Sequence, residues 1–248
     1  MKRLLSFVLY LSVFFNPSLF AQGEPLRVGI DTFTPPFVMQ GANMQLFGFD
    51  ISMMEYICRY MKRNCVFVPL DFNNIFNAVE TKQVDVAVSA LTITAERASR
   101  VLFSSPYLLG NSRFIGPSAL AKEKFGLQLL NNHTIGIEEG TIFPNVINSL
   151  GVRNPKIVTF KDAPHLIDAL QSNDIDIALM DAPSAMYWQS QSSGILSVLG
   201  EPFPYGFGLG IAINRNEVDL LNNINQALIA YQNSPDFKKD YDKFIASF

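Results

Sequence analysis

The chain is poor in the residues that carry most metal and acid–base chemistry: two histidines, His133 and His165, and two cysteines, Cys58 and Cys65, in 248 residues. The histidines stand apart, with no clustered acids or thiols beside them, so they read as ordinary surface or core residues. No zinc-ligand spacing, phosphate-binding glycine loop or Gly-x-Ser-x-Gly elbow is present. No metal and no cofactor are therefore expected. Charge is scarce too, at 17% of residues with a formal net charge of -3, which argues against nucleic acid or an anionic membrane surface as partner.

Long apolar runs are also missing. The most apolar stretch, Leu4 to Phe15, falls short of the roughly 20 residues that a bilayer-spanning helix needs. With Lys2-Arg3 before it and Asn16-Pro17-Ser18 after it, the stretch has the layout of a secretory signal peptide over residues 1–21, and cleavage is expected after Ala21. No cysteine sits at that cleavage site, so a lipid anchor is not implied and the expected compartment is a Gram-negative periplasm. In such an oxidising compartment Cys58 and Cys65, close in sequence, are expected to pair as a disulfide, two free buried thiols being the alternative.

What is present is a unit used twice. Strand-like and helix-like runs alternate from Leu26 onward, which predicts α/β architecture with mainly parallel sheets. Arg27-Val28-Gly29-Ile30-Asp31 is echoed by Thr134-Ile135-Gly136-Ile137-Glu138, each an apolar strand ending in an acid. The segment from Asn77 to Val88 is echoed by Asp168 to Leu179. Superposing the copies matches Asp31 with Glu138 and Ala90 with Asp181. Ligands of open α/β sheets bind beyond the carboxyl ends of the strands, so these four positions would meet at one cleft between two similar lobes.

Local signals fill in the rest. Asp50 is expected to cap a helix that carries Ile51, Met54, Ile57, Cys58 and Met61 on one face. Pro183 suits the first turn of another helix, and two amphipathic helices are predicted over Glu217 to Asn233 and Pro235 to Phe248.

Several segments, in this order, resemble one family. They are Val28-Gly29-Ile30-Asp31 with Pro35-Pro36-Phe37, Gly48-Phe49-Asp50-Ile51, Leu91-Thr92-Ile93-Thr94-Ala95-Glu96-Arg97, Phe103-Ser104-Ser105-Pro106-Tyr107, Gly140-Thr141 and the run Gly206 to Ala212. They are similar to the polar amino-acid-binding proteins of ABC importers, the family 3 solute-binding proteins. The Cys58/Cys65 pair and Gly136-Ile137-Glu138-Glu139-Gly140-Thr141 look most like the arginine and lysine/arginine/ornithine binders. The resemblance implies a type II periplasmic-binding-protein fold. Lobe 1 would be built from residues 22–111 and 206–248, lobe 2 from residues 112–205, with crossings near Ser112 and Pro204 acting as a hinge. It implies a monomeric receptor that delivers a cationic amino acid, L-arginine foremost, to permease subunits in the inner membrane.

The resemblance also implies roles. Arg97, following the candidate helix cap Thr94, would fork onto the ligand carboxylate with help from Thr92 and from backbone N–H groups at Thr92 and Thr141, the latter near a helix start. Asp181 and the carbonyl of Ala90 would take the ammonium. Asp31 and Glu138, one on each wall, would take a guanidinium, while Asp31 has the competing use of bracing its own loop. Phe72, with Phe33 or Phe37, would sandwich the ligand's side chain. The chain departs from its relatives in having Thr34 where an aromatic wall is common and Ile142 and Phe143 after Gly-Thr, so Phe33 or Phe143 would have to supply the second ring. Two rival functions share the fold: a periplasmic cyclohexadienyl-type dehydratase with Glu138 or Glu139 as acid, and a ligand-loaded sensor or adhesin.

Overall fold

The computed structural model describes residues 23–122 and 124–248; the expected signal peptide lies outside the described residues. The first lobe opens with β1 (Leu26–Asp31), a hairpin of β2 (Met39–Gln40) and β3 (Leu46–Phe47), α1 (Phe49–Tyr60) and β4 (Cys65–Leu70). It continues through α2 (Ile75–Glu80), β5 (Val86–Val88), α3 (Ala95–Ala98) and β6 (Leu102–Phe103). The second lobe holds β7 (Asn111–Pro117), β8 (Thr134–Glu138), α4 (Phe143–Ser149), β9 (Lys156–Phe160), α5 (Ala163–Gln171), β10 (Ile177–Asp181), α6 (Ala182–Gln191) and β11 (Leu196–Pro204). The chain then returns to the first lobe with β12 (Ala212–Ile213), α7 (Val218–Gln232) and α8 (Pro235–Asp240), which continues as a π turn over Tyr241–Ile245.

The two sheets share one plan. Their strand orders are β4-β1-β5-β12-β6 and, from the other edge, β9-β8-β10-β7-β11. In each, the first three strands are parallel and the last two are antiparallel to their neighbours. Parallel strands covered on both faces must be apolar almost throughout, and β5 is wholly buried. Around the first sheet Phe37, Phe49, Met53, Met54 and Tyr231 pack on one face, and Ile75, Val79 and Leu91 on the other. The second sheet has a core of its own around Phe114, Ile135, Ile147, Leu166 and Leu179. The chain passes between lobes along two hydrogen-bonded segments, with Pro204 opposite Asn111 and Tyr205 N donating to Gly110 O at 3.2 Å.

Cys58, near the end of α1, is disulfide-bonded to Cys65 at the start of β4. Two local expectations are corrected. The cap of α1 is Gly48, not Asp50: its φ of 136° and the backbone of Phe37, whose oxygen would lie 2.2 Å from an added Cβ, leave room only for glycine. Asp50 sits inside the first turn, fully buried, and reaches elsewhere. The last predicted helix also ends early, at Asp240, before the π turn. Among the described residues no helix is long and apolar enough to cross a membrane.

Candidate functional site

The carboxyl ends of β1, β5, β8 and β10 deliver Asp31, Ala90, Glu138 and Asp181 to the seam between the lobes. Asp31 is only 2% exposed. Its Oδ2 accepts from Thr34 Oγ1 at 2.6 Å, and the backbone N–H groups of Thr32 and Phe33 also donate to the carboxylate. Its own N–H donates to Ser89 Oγ at 2.7 Å. Thr34, standing where an aromatic wall was looked for, is thus the brace of this acid. Burial still raises the Asp31 pKa, because these donors offset desolvation only in part.

Ala90 takes the left-handed region, φ 49°, an uncommon choice for a residue with a Cβ. What holds it is Asp50, whose Oδ2 accepts from Ala90 N at 2.9 Å and from Tyr107 Oη at 3.1 Å. Asp50 is pushed up to about 6, chiefly by burial. In the sequence Asp50 reads as a helix cap; its positioning of Ala90, 40 residues away, depends on a tertiary contact.

Arg97 is 8% exposed. Thr94 caps α3 as expected, its Oγ1 accepting from Arg97 N at 3.2 Å. The guanidinium donates from Nη1 to the carbonyl of buried Thr92 at 3.0 Å and from Nη2, across the seam, to Gly140 O at 3.1 Å. It lies 4.7 Å from the ring centre of Phe76 and 5.8 Å from that of Phe72, within cation–π range. Desolvation lowers its pKa to about 10, opposed by the charge of Asp181, so it stays cationic at neutral pH.

The opposite wall is acidic and poorly partnered. Glu138 is 9% exposed, and its Oε1 is buried with no hydrogen-bond partner. Burial first, then the charges of Asp31, Asp181 and Asp162, push it up to about 9. Asp181 precedes α6 but does not cap it through its side chain; burial raises it to about 7 against the pull of Arg97. Thr141 departs from expectation. Its N–H and Oγ1 both donate to Glu138 O, at 3.4 and 2.6 Å, and α4 begins only at Phe143 after an Ile142 cap. The Thr141 amide therefore closes a turn and is not a free helix-start donor.

Glu138, Thr141, Asp181 and Phe72 line one narrow cavity of about 20 Å³, together with Phe143 and Ser184. The rings that face it come one from each lobe, Phe72 and Phe143. Phe33 packs edge-on against Trp188 at 6.1 Å, and Phe37 is fully buried in the first lobe, so Phe37 is withdrawn as a wall residue. Besides Asp50, sequence reasoning missed Ser184 and Trp188. Ser184 was findable, since it follows Asp181 by three on a helix already marked by Pro183, and such residues share a face. Further seam contacts run from Lys161 to Asp71 at 3.3 Å and from Tyr187 to Phe248 at 5.5 Å between ring centres.

Two α/β lobes joined by a pair of adjacent strands, with acid-tipped strand ends meeting at the seam, define a type II periplasmic binding protein fold. The model of the bacterial extracellular solute-binding proteins, family 3, matches residues 26–247, and the chain belongs to that family. It is 28% identical over 241 residues to the arginine-binding periplasmic protein of Mannheimia haemolytica, covering 95% of this chain and 97% of the relative. Among solved structures it is similar to an arginine third transport system periplasmic binding protein from Legionella pneumophila, with a TM-score of 0.82 at 28% identity, covering 89% of this chain and 99% of that one. It is also similar to an ancestral amino acid-binding protein described as a precursor of cyclohexadienyl dehydratase, with a TM-score of 0.81 at 27% identity, over 89% of this chain and 95% of that one.

Proposed function

We propose that the chain is the exported receptor of an ABC amino-acid importer, a monomer that clamps a cationic amino acid, L-arginine foremost, in the periplasm and hands it to inner-membrane permease subunits. The observation that carries this reading is Glu138: a carboxyl group shut into the seam with one oxygen unpartnered and three further acids acting on it. Such a wall strongly favours a cation. A neutral side chain would leave the buried acids uncompensated or force them to stay protonated. The head of the ligand finds complementary groups in Arg97 for its carboxylate and in Asp181 and the Ala90 carbonyl for its ammonium. Thr92 flanks the guanidinium, Phe72 and Phe143 enclose the aliphatic stem, and Asp31 adds negative potential from the first lobe, with Phe33 at its edge.

A cavity of about 20 Å³ has room for about one water, so an amino acid enters only when the lobes part. The paired strands at Asn111 and Pro204 are the hinge about which residues 22–111 with 206–248 move against residues 112–205, and ligand shifts the population toward the closed form. Calorimetry against the common amino acids plus ornithine tests the assignment. Arginine, lysine or ornithine should bind tightest, and a preference for glutamine or another neutral ligand would overturn the cationic reading.

One observation favours a second reading. A carboxyl pushed up to about 9 by burial and neighbouring acids, as Glu138 is, can act as a general acid near neutral pH, and one structural relative is described as a precursor of cyclohexadienyl dehydratase. The juxtaposition of Arg97 and Asp181 suits an intact amino acid instead. Turnover of prephenate or arogenate would reverse this ranking.

A further inference from the structure

Glu138 Oε1 and Ser184 Oγ are both buried without a hydrogen-bond partner, and both residues line the same cavity. Ser184 is 6% exposed. A hydroxyl taken out of water and left unmatched is costly, and serine is a poorer helix former than alanine, which would fit the same place. Neither fold nor capping explains it: the serine makes no bond to α6, and Asp181 leaves the cap unfilled. An unmatched polar atom aimed into a binding cavity is accounted for by a partner that arrives with the ligand.

Its position says which part of the ligand. Arg97 marks the carboxylate end of the seam, bonded to Thr92 O and Gly140 O. Asp181 is coupled to Arg97 by charge. Ser184 lies one turn further along α6 and lines the same cavity as Ala163 and Leu166 from α5. A ligand side chain that leaves a head held at Arg97 and Asp181 and enters this cavity runs among Ser184 and Glu138.

We infer that Ser184 is a specificity-determining residue, whose hydroxyl bonds the terminal nitrogen or oxygen of a long ligand side chain and so selects by reach, while Glu138 selects by charge. The inference rests on the amino-acid-binding reading above. The hydroxyl accepts from a guanidinium N–H and can equally donate to a ureido oxygen, whereas a carboxylate welcomes the first and repels the second. Arginine and citrulline, alike in length but not in charge, therefore separate the two residues, and glutamine serves as the short reference.

Dissociation constants for these three ligands are measured by calorimetry on wild type, Ser184→Ala and Glu138→Gln. Ser184→Ala should weaken arginine and citrulline about tenfold each, the loss expected for one hydrogen bond to a charged or strongly polar group, and glutamine less than about twofold. Glu138→Gln should weaken arginine and leave citrulline unchanged or tighter. The ligand-free melting temperature of Ser184→Ala should equal or exceed that of wild type, because no internal bond is lost. Equal losses for all three ligands, no loss for arginine, or a melting temperature lowered by several degrees would each overturn the role of Ser184. The cationic reading fails separately, on wild type alone, if glutamine outranks arginine; the Ser184 role then still stands or falls by the variant's ratios. A wild type that binds none of the three overturns both.

Discussion

The two walls of the seam come from one unit built twice, yet they finish differently. Asp31 at the end of β1 is met at once by Thr34 and by two backbone N–H groups. Glu138 at the end of β8 has an oxygen with no donor at all. The same contrast recurs one strand along, where Ala90 is held from behind by Asp50 and its counterpart Asp181 is left with its carboxylate free of α6. The first lobe presents a set, braced surface; the second presents acids that its own loops leave unbraced. Equivalent positions in a duplicated fold thus differ in what holds them, a following loop for Asp31 and a residue 40 positions away for Ala90.

Removing the cation of the first wall should be the most damaging change. Arg97→Ala deletes a guanidinium that is bonded to both lobes and, on the proposed reading, leaves the ligand carboxylate unpaired. Affinity for every amino acid should fall more than about a hundredfold, the range for truncating one partner of a buried charge pair; calorimetry that still finds binding within tenfold of wild type would refute the assignment.

The contrast between the acids is sharpened by neutralising each in turn. Glu138→Gln should cost arginine about ten- to a hundredfold while sparing glutamine. Asp31→Asn should act on the fold, lowering the melting temperature by several degrees through its loop bonds, with a smaller change in selectivity. Swapped outcomes, selectivity lost with Asp31 and stability with Glu138, would break the comparison.

Next comes the contact that lets the walls approach. Gly140 sits at φ 78°, and a Cβ there would stand 2.7 Å from the Cα of Asn73 on the other lobe. Gly140→Ala should hold the lobes apart and weaken all ligands about tenfold without re-ranking them, as a closure defect would; re-ranking in the same titrations would point instead to a direct ligand contact.

A further effect is on pH dependence. Glu138 titrates near 9 in the folded chain, above its ordinary value, so the folded state holds a proton that the unfolded chain releases near pH 4 to 5. Ligand-free stability should therefore be full below about pH 4 from this group and decline as pH rises through 9, and a cationic ligand, which favours the ionised acid, should stabilise more at pH 9 than at pH 6. Thermal melts over that range check both slopes, and Glu138→Gln should flatten them.

The duplication, the parallel strands and the acids at their ends were legible in the sequence because apolar runs and their spacing encode them directly. The pairing of Cys58 and Cys65, seven residues apart, was legible from their closeness in a chain read as exported to an oxidising compartment. What escaped was set by partners distant in the chain. Asp50 looks like a helix cap until Ala90 and Tyr107 are folded against it. The Thr141 amide looks free until the turn back to Glu138 O is seen. Phe37 and Phe143 are both phenylalanines in apolar strings, and only packing sends one into the first lobe's core and the other to the cavity.

Trp188 is the sole tryptophan of the chain, and it rests on α6 of one lobe against Phe33 of the other. Its indole therefore serves as a built-in optical gauge. Emission colour and intensity follow how wet that ring is, and wetness there follows how far the halves stand apart. On the proposed hinge motion, opening and shutting can be timed in a stopped-flow cell without attaching a dye, and every substitution above can be sorted by whether it changes the grip or the swing.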